Sequence, residues 1–287
     1  MADTTVVDFL GWTTSATYYI KIYTPASERS ATGIYDATKY RLEVAGNAIK
    51  ISVGAGYFRI DGVQIQVTLA SGTANGYGVL LDSALTAGDV QISKSIIKGV
   101  FSGTATNDAA INATALASGS ATLKVWNTVI QDYVNAANNM FAIQGSTNWT
   151  VSAYNNTAYN CRFGFRQVAG TFIAINDVAM SASNGFDGTF DATSNYNASD
   201  IAADAPGANS QNGVAATFVN AAGGNFQPAN TDTVARHNGT TDPGSGLFSD
   251  DITGAARSAP WDIGAFVAQA DATTCKHALL LLGAGCN

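Results

Sequence analysis

A six-residue pattern recurs five times between residues 57 and 180, and no other property of the chain restricts its fold as strongly. The copies are Ile60-Asp-Gly-Val-Gln-Ile65, Ile92-Ser-Lys-Ser-Ile-Ile97, Val125-Trp-Asn-Thr-Val-Ile130, Tyr154-Asn-Asn-Thr-Ala-Tyr159 and Ile175-Asn-Asp-Val-Ala-Met180. Their starts lie 32, 33, 29 and 21 residues apart. Positions one and six are always apolar, and position four is β-branched or small (Val63, Ser95, Thr128, Thr157, Val178). Two residues upstream runs another apolar column, Phe58, Val90, Leu123 and Ile173, interrupted only by Ser152.

Apolar residues two apart follow the strand period, and a strand-sized motif returning every 20–33 residues is the signature of a solenoid of parallel strands. Between the copies lies a second set of short apolar runs: Val79-Leu-Leu81, Ala110-Ile111, Phe141-Ala-Ile143, Phe163-Gly-Phe165 and Gly185-Phe186. Each turn therefore contributes at least two strands. Stacking the turns brings position three into a column of Gly62, Lys94, Asn127, Asn156 and Asp177, with the two asparagines placed for an amide ladder along a bend. The expected fold is all-β, a right-handed, single-stranded parallel β-helix. The alternative is a β-sandwich with accidental periodicity.

A chain of 287 residues has ample length for a large core. Charged residues make up only 12%, and 29 glycines against 5 prolines suit tight turns and small stacked side chains. The net charge of −7 argues against nucleic acid or an anionic membrane as partner, and leaves neutral or amine-bearing glycans. Three cysteines do not make a disulfide scaffold. No apolar run approaches the roughly 20 residues that span a bilayer. Met1-Ala-Asp-Thr-Thr-Val-Val-Asp8 has no basic region followed by an apolar one, so folding in the cytoplasm is expected, although a chain whose signal had been removed reads the same. Asn-x-Ser/Thr triplets at Asn112, Asn148, Asn155, Asn197 and Asn238 are expected by chance in so Asn- and Thr-rich a chain.

Residues 1–267 read as one β-helix domain, with first rungs at 1–56, the main ladder at 57–200 and a closing segment at 201–267; residues 268–287 form an apolar tail. Strand-like stretches at Val6–Leu10, Thr17–Tyr23, Tyr40–Val44 and Ala48–Val53 start the coil without an evident polar cap, which exposes strand edges to another chain. Ser/Thr/Gly-rich segments at 70–78 and 100–109 read as loops, where binding is usually built. In the closing segment, Gly224-Asn-Phe226, Asp251-Ile-Thr-Gly-Ala-Ala-Arg257 and Asp262-Ile-Gly-Ala-Phe266 resemble the end of many pectate-lyase-like β-helix proteins. Val267 stands where an acidic residue often follows, and the usual Ser-Pro-Ala element is missing. The resemblance covers roughly residues 40–267 and implies the fold; the fold itself hosts lyases, hydrolases, adhesins and phage spikes. The tail, with Leu279, Leu280, Leu281 and Leu282 in succession, resembles β-helical structural proteins of tailed bacteriophages in its organisation.

Lyases on this scaffold use Asp clusters to hold Ca²⁺ and an Arg or Lys as base. Here Asp61, Asp82, Asp89, Asp108, Asp132 and Asp177 never share a column on adjacent turns. Asp250-Asp251 reads as turn and capping residues rather than a hydrolase pair. His237 has no nearby nucleophile motif, Cys275, His277 and Cys286 fall short of the usual four zinc ligands, and Cys161 reads as core or turn packing. No catalytic residue, metal or cofactor is therefore assigned. Aromatics gather in the middle turns, and an outward Trp or Tyr can stack on a sugar ring, so the glycan-contacting candidates are Trp126, Trp149 and Tyr133 with Arg162 and Arg166. The leading expectation is a non-enzymatic virion protein of a tailed phage (a spike, fibre or decoration module) assembled in the host cytoplasm. It would pair with other copies or other virion proteins through its ends, and contact surface polysaccharide rather than nucleic acid or membrane. The alternatives are a polysaccharide lyase or glycoside hydrolase, and a secreted or cell-surface adhesin.

Overall fold

The chain visits three sheets in turn and returns to each one rung later, which is what a period of 20–33 residues demands. The computed structural model describes residues 2–70, 75–102, 107–135 and 139–270. Sheet C holds Ile20–Tyr23, Tyr57–Asp61, Ala87–Ser93, Ser120–Trp126, Trp149–Tyr154 and Thr171–Ile175. Sheet A continues from each of these with Arg41–Val44, Gln64–Leu69, Ile96–Phe101, Val129–Gln131, Thr157–Tyr159 and Val178–Met180, preceded by Ala2–Asp3 and followed by Ala198–Ser199 and Gln211–Asn212. Sheet B holds Val7–Phe9, Ile49–Ile51, Tyr77–Leu81, Asn107–Ala113, Asn139–Gly145, Phe163–Gln167 and Asn184–Asp187. All pairings within the three sheets are parallel, so the fold is a parallel β-helix. Among the described residues there is no α-helix, only two 3-10 turns at Ala26–Glu28 and Ala221–Gly223.

Inside the coil, like stacks on like. Sheet C contributes Phe58, Val90, Leu123, Val151 and Phe172 as one column and Ile60, Ile92, Val125, Ala153 and Ala174 as the next, all essentially inaccessible. Sheet B adds Ile49, Val79, Ile111, Ile143, Phe165 and Phe186, ending in a stacked pair of rings 4.9 Å apart. Each Val, Ile, Leu or Phe in these columns contributes on the order of 1.5–3 kcal/mol by leaving water.

Two expectations need correcting. The six-residue motif is not one strand but a corner: its first two residues end a strand of sheet C, its third and fourth make the bend, and its last two begin sheet A. Its fourth and fifth copies also sit one residue earlier, because Ala153, not Tyr154, pairs with Val125, and Ala174 pairs with Ala153. The upstream column is then unbroken, Val151 replacing Ser152.

With this register the bend column becomes Gly62, Lys94, Asn127, Asn155, Asn176 and Tyr196, each with φ between 48 and 71°. Left-handed backbone costs an L-residue about 1–2 kcal/mol unless it is Gly, Asn or Asp, which explains the asparagines. At Gly62 a Cβ would also strike the Arg29 guanidinium, 2.2 Å away. The next column, Thr128, Asn156, Asp177 and Asn197, points inward and links rungs. Thr128 N donates to Asn156 Oδ1 (3.0 Å), Asn156 N to Asp177 Oδ1 (2.7 Å), Asp177 N to Asn197 Oδ1 (3.0 Å) and Asn197 N to Ser210 Oγ (2.9 Å). The amide ladder therefore exists, on neighbouring residues to those first paired.

Residues 216–267 lie as a strap over the outer face of sheet A. Phe226, Ile252, Ala265 and Phe266 bury the outward Ile96 and Val129, while Val234, Ala235 and Ile263 bury Val178, Met180 and Ala198. The three closing-segment motifs are the contacts that hold this strap. Phe226 is buried; Asp251 Oδ1 caps Thr253 N and Ala255 N (2.8 and 2.9 Å), and its Oδ2 accepts from Val267 N (2.9 Å). Asp262 accepts from His237 N and Ala268 N.

Candidate functional site

Strap and coil enclose a groove of about 750 Å³ along the outer face of sheet C. Its floor is built by the outward residues of four successive rungs: Tyr19 and Lys21, then Arg59 and Asp61, then Gln91 and Ser93, then Trp126, with Lys94 at the corner. Three steps at the ~4.8 Å strand spacing make the floor about 14 Å long. The opposite wall is the strap segment from Asp242 to Asp250, with Trp261 behind it.

The wall is fixed at several points. Asp242 Oδ1 accepts from Gly246 N (2.7 Å) and closes a tight loop. Lys94 Nζ pairs with Asp250 Oδ2 at 2.5 Å, and Asn127 Nδ2 donates to Asp250 O at 2.8 Å. Arg257 is the interior clamp: its Nε donates to Asp250 O (3.1 Å) and its Nη2 to Asn127 Oδ1 (2.8 Å) and Gly264 O (3.0 Å). Burial lowers its pKa to about 10, partly opposed by Asp251, Asp262 and Asp250. It is still charged at neutral pH. Phe248 stacks on Trp126 with centroids 6.3 Å apart and planes 16° from parallel, and Phe248 in turn meets Trp261 at 5.4 Å. Tyr19 stands 47% exposed at the far end with the Arg59 guanidinium 4.9 Å over its ring.

The groove's charges balance in number, and all but Asp242 are ion-paired, in part with Arg29 and Asp89 beside the groove. Lys21, Arg59 and Lys94 face Asp61, Asp242 and Asp250. Asp61 accepts from Arg29 (2.7 Å) and lies 3.8 Å from Lys21; Arg59 pairs with Asp89 at 2.7 Å, to which Gln91 Nε2 also donates (3.0 Å).

Of the five glycan-contacting candidates Trp126, Trp149, Tyr133, Arg162 and Arg166, only Trp126 belongs to this groove. Trp149 and Tyr133 were expected at a glycan surface, yet they are 2% and 0% exposed. Trp149 Nε1 is tied to Thr114 O (2.8 Å), and Tyr133 packs edge-on against Phe101 at 5.1 Å, so both are core. Large aromatics fill the space that shorter neighbours leave inside the coil. Arg162 and Arg166 lie on another flank, outside sheet B. There Arg166 covers Phe141 (4.4 Å) and pairs with Asp187 (3.1 Å), and Arg162 sits 5.7 Å from the centre of the Phe163 ring. The five do not form one site. Tyr19, Lys94, Phe248 and Trp261 were missed, the last two because they reach the ladder only through the strap.

The remaining candidates resolve as follows. Asp82 pairs with Lys50 (2.9 Å), Asp132 accepts from Asn160 (2.8 Å), and Asp108 is buried and accepts from Gly76 N (2.5 Å). Cys161 is buried, and desolvation pushes its thiol up to about 12. Among the described residues no group of three His, Cys, Asp or Glu side chains is placed to hold a metal. None of their helices is long and apolar enough to cross a membrane. Parts of the 70–78 and 100–109 loops, and the tail with Cys275, His277, Leu279 to Leu282 and Cys286, lie outside the described residues. No protein-family model matches the chain, and no curated protein or solved structure matches it either.

Proposed function

We propose that this chain is a structural module of a tailed-phage virion, a β-helical spike, fibre or decoration protein, that holds surface polysaccharide against its flank. The observation that carries the glycan part is the groove itself: a long trough with an aromatic side chain at each end, Tyr19 and Trp126, and polar side chains between them. Sugars present apolar ring faces and a rim of hydroxyls, and this alternation of ring and polar group is complementary to both.

The assembly part rests on the first rung. Leu10, Trp12, Tyr18 and Tyr23 are 63, 57, 77 and 58% exposed beside the outermost strands Val7–Phe9 and Ile20–Tyr23. Apolar side chains next to open strand edges favour a neighbour, another copy or another virion protein. The pectate-lyase-like closing motifs favour the same broad group of β-helices. Localisation in a virion assembled in the host cytoplasm follows from this reading; an adhesin at a cell surface would use the same groove.

The enzymatic alternative rests on Asp61, Asp242 and Asp250 sharing one trough. Their hydrogen bonds to Arg29, Gly246 N and Lys94 favour a role in shaping it. The test is incubation of the full chain with host-surface and reference polysaccharides, monitoring sedimentation with the polymer, reducing ends and unsaturated products. Co-sedimentation without new ends supports the proposal. Product formation favours the enzyme, and no association with any polymer removes the glycan role. Antibody labelling of virions in electron micrographs tests the location.

A further inference from the structure

The chemistry of the groove narrows its ligand, and the following rests on the glycan reading above. We infer that it takes an uncharged oligosaccharide laid across the rungs of sheet C, with one ring on Trp126 and another at Tyr19.

The charges exclude the other classes first. Three cations and three carboxylates line the trough, so its formal charge is zero. Each cation already has a carboxylate: Lys94 has Asp250 at 2.5 Å, Arg59 has Asp89 at 2.7 Å, and Lys21 has Asp61 at 3.8 Å. A uronate or sulfated chain would have to displace the carboxylate that each cation already holds, and a repeating amine would find only Asp242, held by Gly246 N, without a cation to displace. Losing one partner of a partly buried pair leaves the other uncompensated. A polyol avoids both. Lys94 has three N–H donors and each carboxylate about four lone-pair sites, so hydroxyls can bridge the existing pairs without separating them.

The geometry then orients the chain. Tyr19 immediately precedes the first strand of the floor and Trp126 ends the fourth, so the two rings lie diagonally across it, about 14 Å apart along the stack and offset along the strands, with Arg59, Gln91 and Lys94 between them. Trp126 is pre-organised, because Phe248 stacks behind it and Trp261 supports Phe248. A ring held in place loses little freedom on binding.

The experiment uses the full chain and three sets of tetrasaccharides: neutral glucose- and galactose-based, acidic galacturonate-based, and amine-bearing glucosamine-based. Affinity is read by calorimetry and by quenching of tryptophan fluorescence at 20 and 300 mM NaCl. The expected result is binding of one or more neutral sugars, changed less than twofold by salt. Trp126→Ala and the exposed-site variant Tyr19→Ala should each weaken it at least tenfold, and Arg166→Ala on the other flank should leave it unchanged. If Trp126→Ala loosens the strap, Tyr19→Ala still decides. Binding confined to the acidic or amine set, and weakened by salt, overturns the neutral assignment while leaving the glycan reading intact. Neutral binding indifferent to both Trp126→Ala and Tyr19→Ala overturns the placement. Failure of every set overturns the glycan reading itself.

Discussion

Replacing Asp177 by Asn should stabilise the protein, and by an amount that grows with pH. Asp177 is fully buried in a column otherwise occupied by Thr128, Asn156 and Asn197. Its Oδ1 accepts from Asn156 N (2.7 Å) and Asn156 Nδ2 (3.0 Å), but its Oδ2 has no hydrogen-bond partner among the described residues. In the rungs on either side, the corresponding atom is an amide nitrogen. Asn156 Nδ2 donates to Val125 O (2.9 Å) and Asn197 Nδ2 to Ala174 O (2.8 Å), each the carbonyl one rung back. The carbonyl in that place for Asp177 belongs to Ala153. A donor at this position completes the ladder, either as a carboxylic acid proton or as an Asn amide. Burial pushes the Asp177 pKa well above its usual 3.8, outweighing the hydrogen bonds from Asn156. The folded chain thus keeps a proton that the unfolded chain loses. The unfolded state binds one proton fewer, so stability is fully present below about pH 3.8 and falls as pH rises toward the folded pKa, by about 1.4 kcal/mol per pH unit within that window. In Asp177→Asn that slope disappears and the amide takes over the bond of the acid proton, so the two proteins are nearly level close to pH 3.8 and diverge by about 1.4 kcal/mol for each pH unit above it. Urea unfolding followed by circular dichroism at pH 4, 5 and 6 measures the difference between the two proteins, in which every other carboxylate cancels. A difference that stays flat with pH, or a variant less stable at pH 6, would refute the protonated ladder.

Other substitutions test other parts of the frame. Tyr196 holds the left-handed bend position that Asn127, Asn155 and Asn176 fill in earlier rungs, with φ at 57°; Tyr196→Asn should raise stability by up to about 1 kcal/mol, seen as a higher urea midpoint with an unchanged slope. Arg257→Met removes the donor shared by Asp250 O, Asn127 Oδ1 and Gly264 O and should cost about 1–3 kcal/mol for each acceptor left buried without a partner, with proteolytic cleavage of the strap between residues 240 and 267 appearing before loss of the β signal. In a Cys275→Ser, Cys286→Ser background, Cys161 should give no reaction with an aromatic disulfide reagent at pH 8 until the protein is unfolded, because burial holds its thiol near 12; prompt reaction in the native state would show that the coil opens there.

How much of this was legible beforehand depended on whether an apolar residue had one cause or two. Along the early rungs of sheet C it had one. Phe58, Ile60, Val90 and Ile92 alternate with Arg59, Asp61, Gln91 and Ser93, so the inward side is unambiguous. Along sheet A both sides are apolar, because the strap buries the outward Val129, Val178 and Met180 just as the coil buries Ile130 and Ala179. Period-two reasoning assumes one wet face, and in the later rungs it slips by one residue within sheet C itself, at Tyr154 and Ile175, outward apolar residues beside the corner that look like core. The interior large aromatics misled for the related reason that composition does not say which side a ring faces. Trp149 and Trp126 both lie in sheet C strands of the middle turns, but only the register sends one inward and the other outward.

The site was less legible than the fold because the two are built from contacts of different range. Every ladder contact joins residues one period apart, so it leaves a repeat that can be read by sliding the chain along itself. The groove exists through contacts that leave no such trace: Lys94 to Asp250 spans 156 residues, Arg257 to Asn127 spans 130, and Asn155 to Asp262 spans 107. Each of these joins a single strap residue to the bend column and occurs once. The residues at the strap-facing ends of those contacts look from sequence like ordinary bend residues, and Lys94 even breaks the Asn column in which it sits. That break is informative in retrospect. Lysine gains nothing from a left-handed bend at φ 48° and tolerates it at a cost of about 1–2 kcal/mol, so its presence has to be explained by what its ammonium group reaches. Its target is Asp250, the residue that fixes the groove wall. At Lys94 the residue that violates the local rule of the ladder marks where the strap is attached, and that attachment is what converts a rod into a trough.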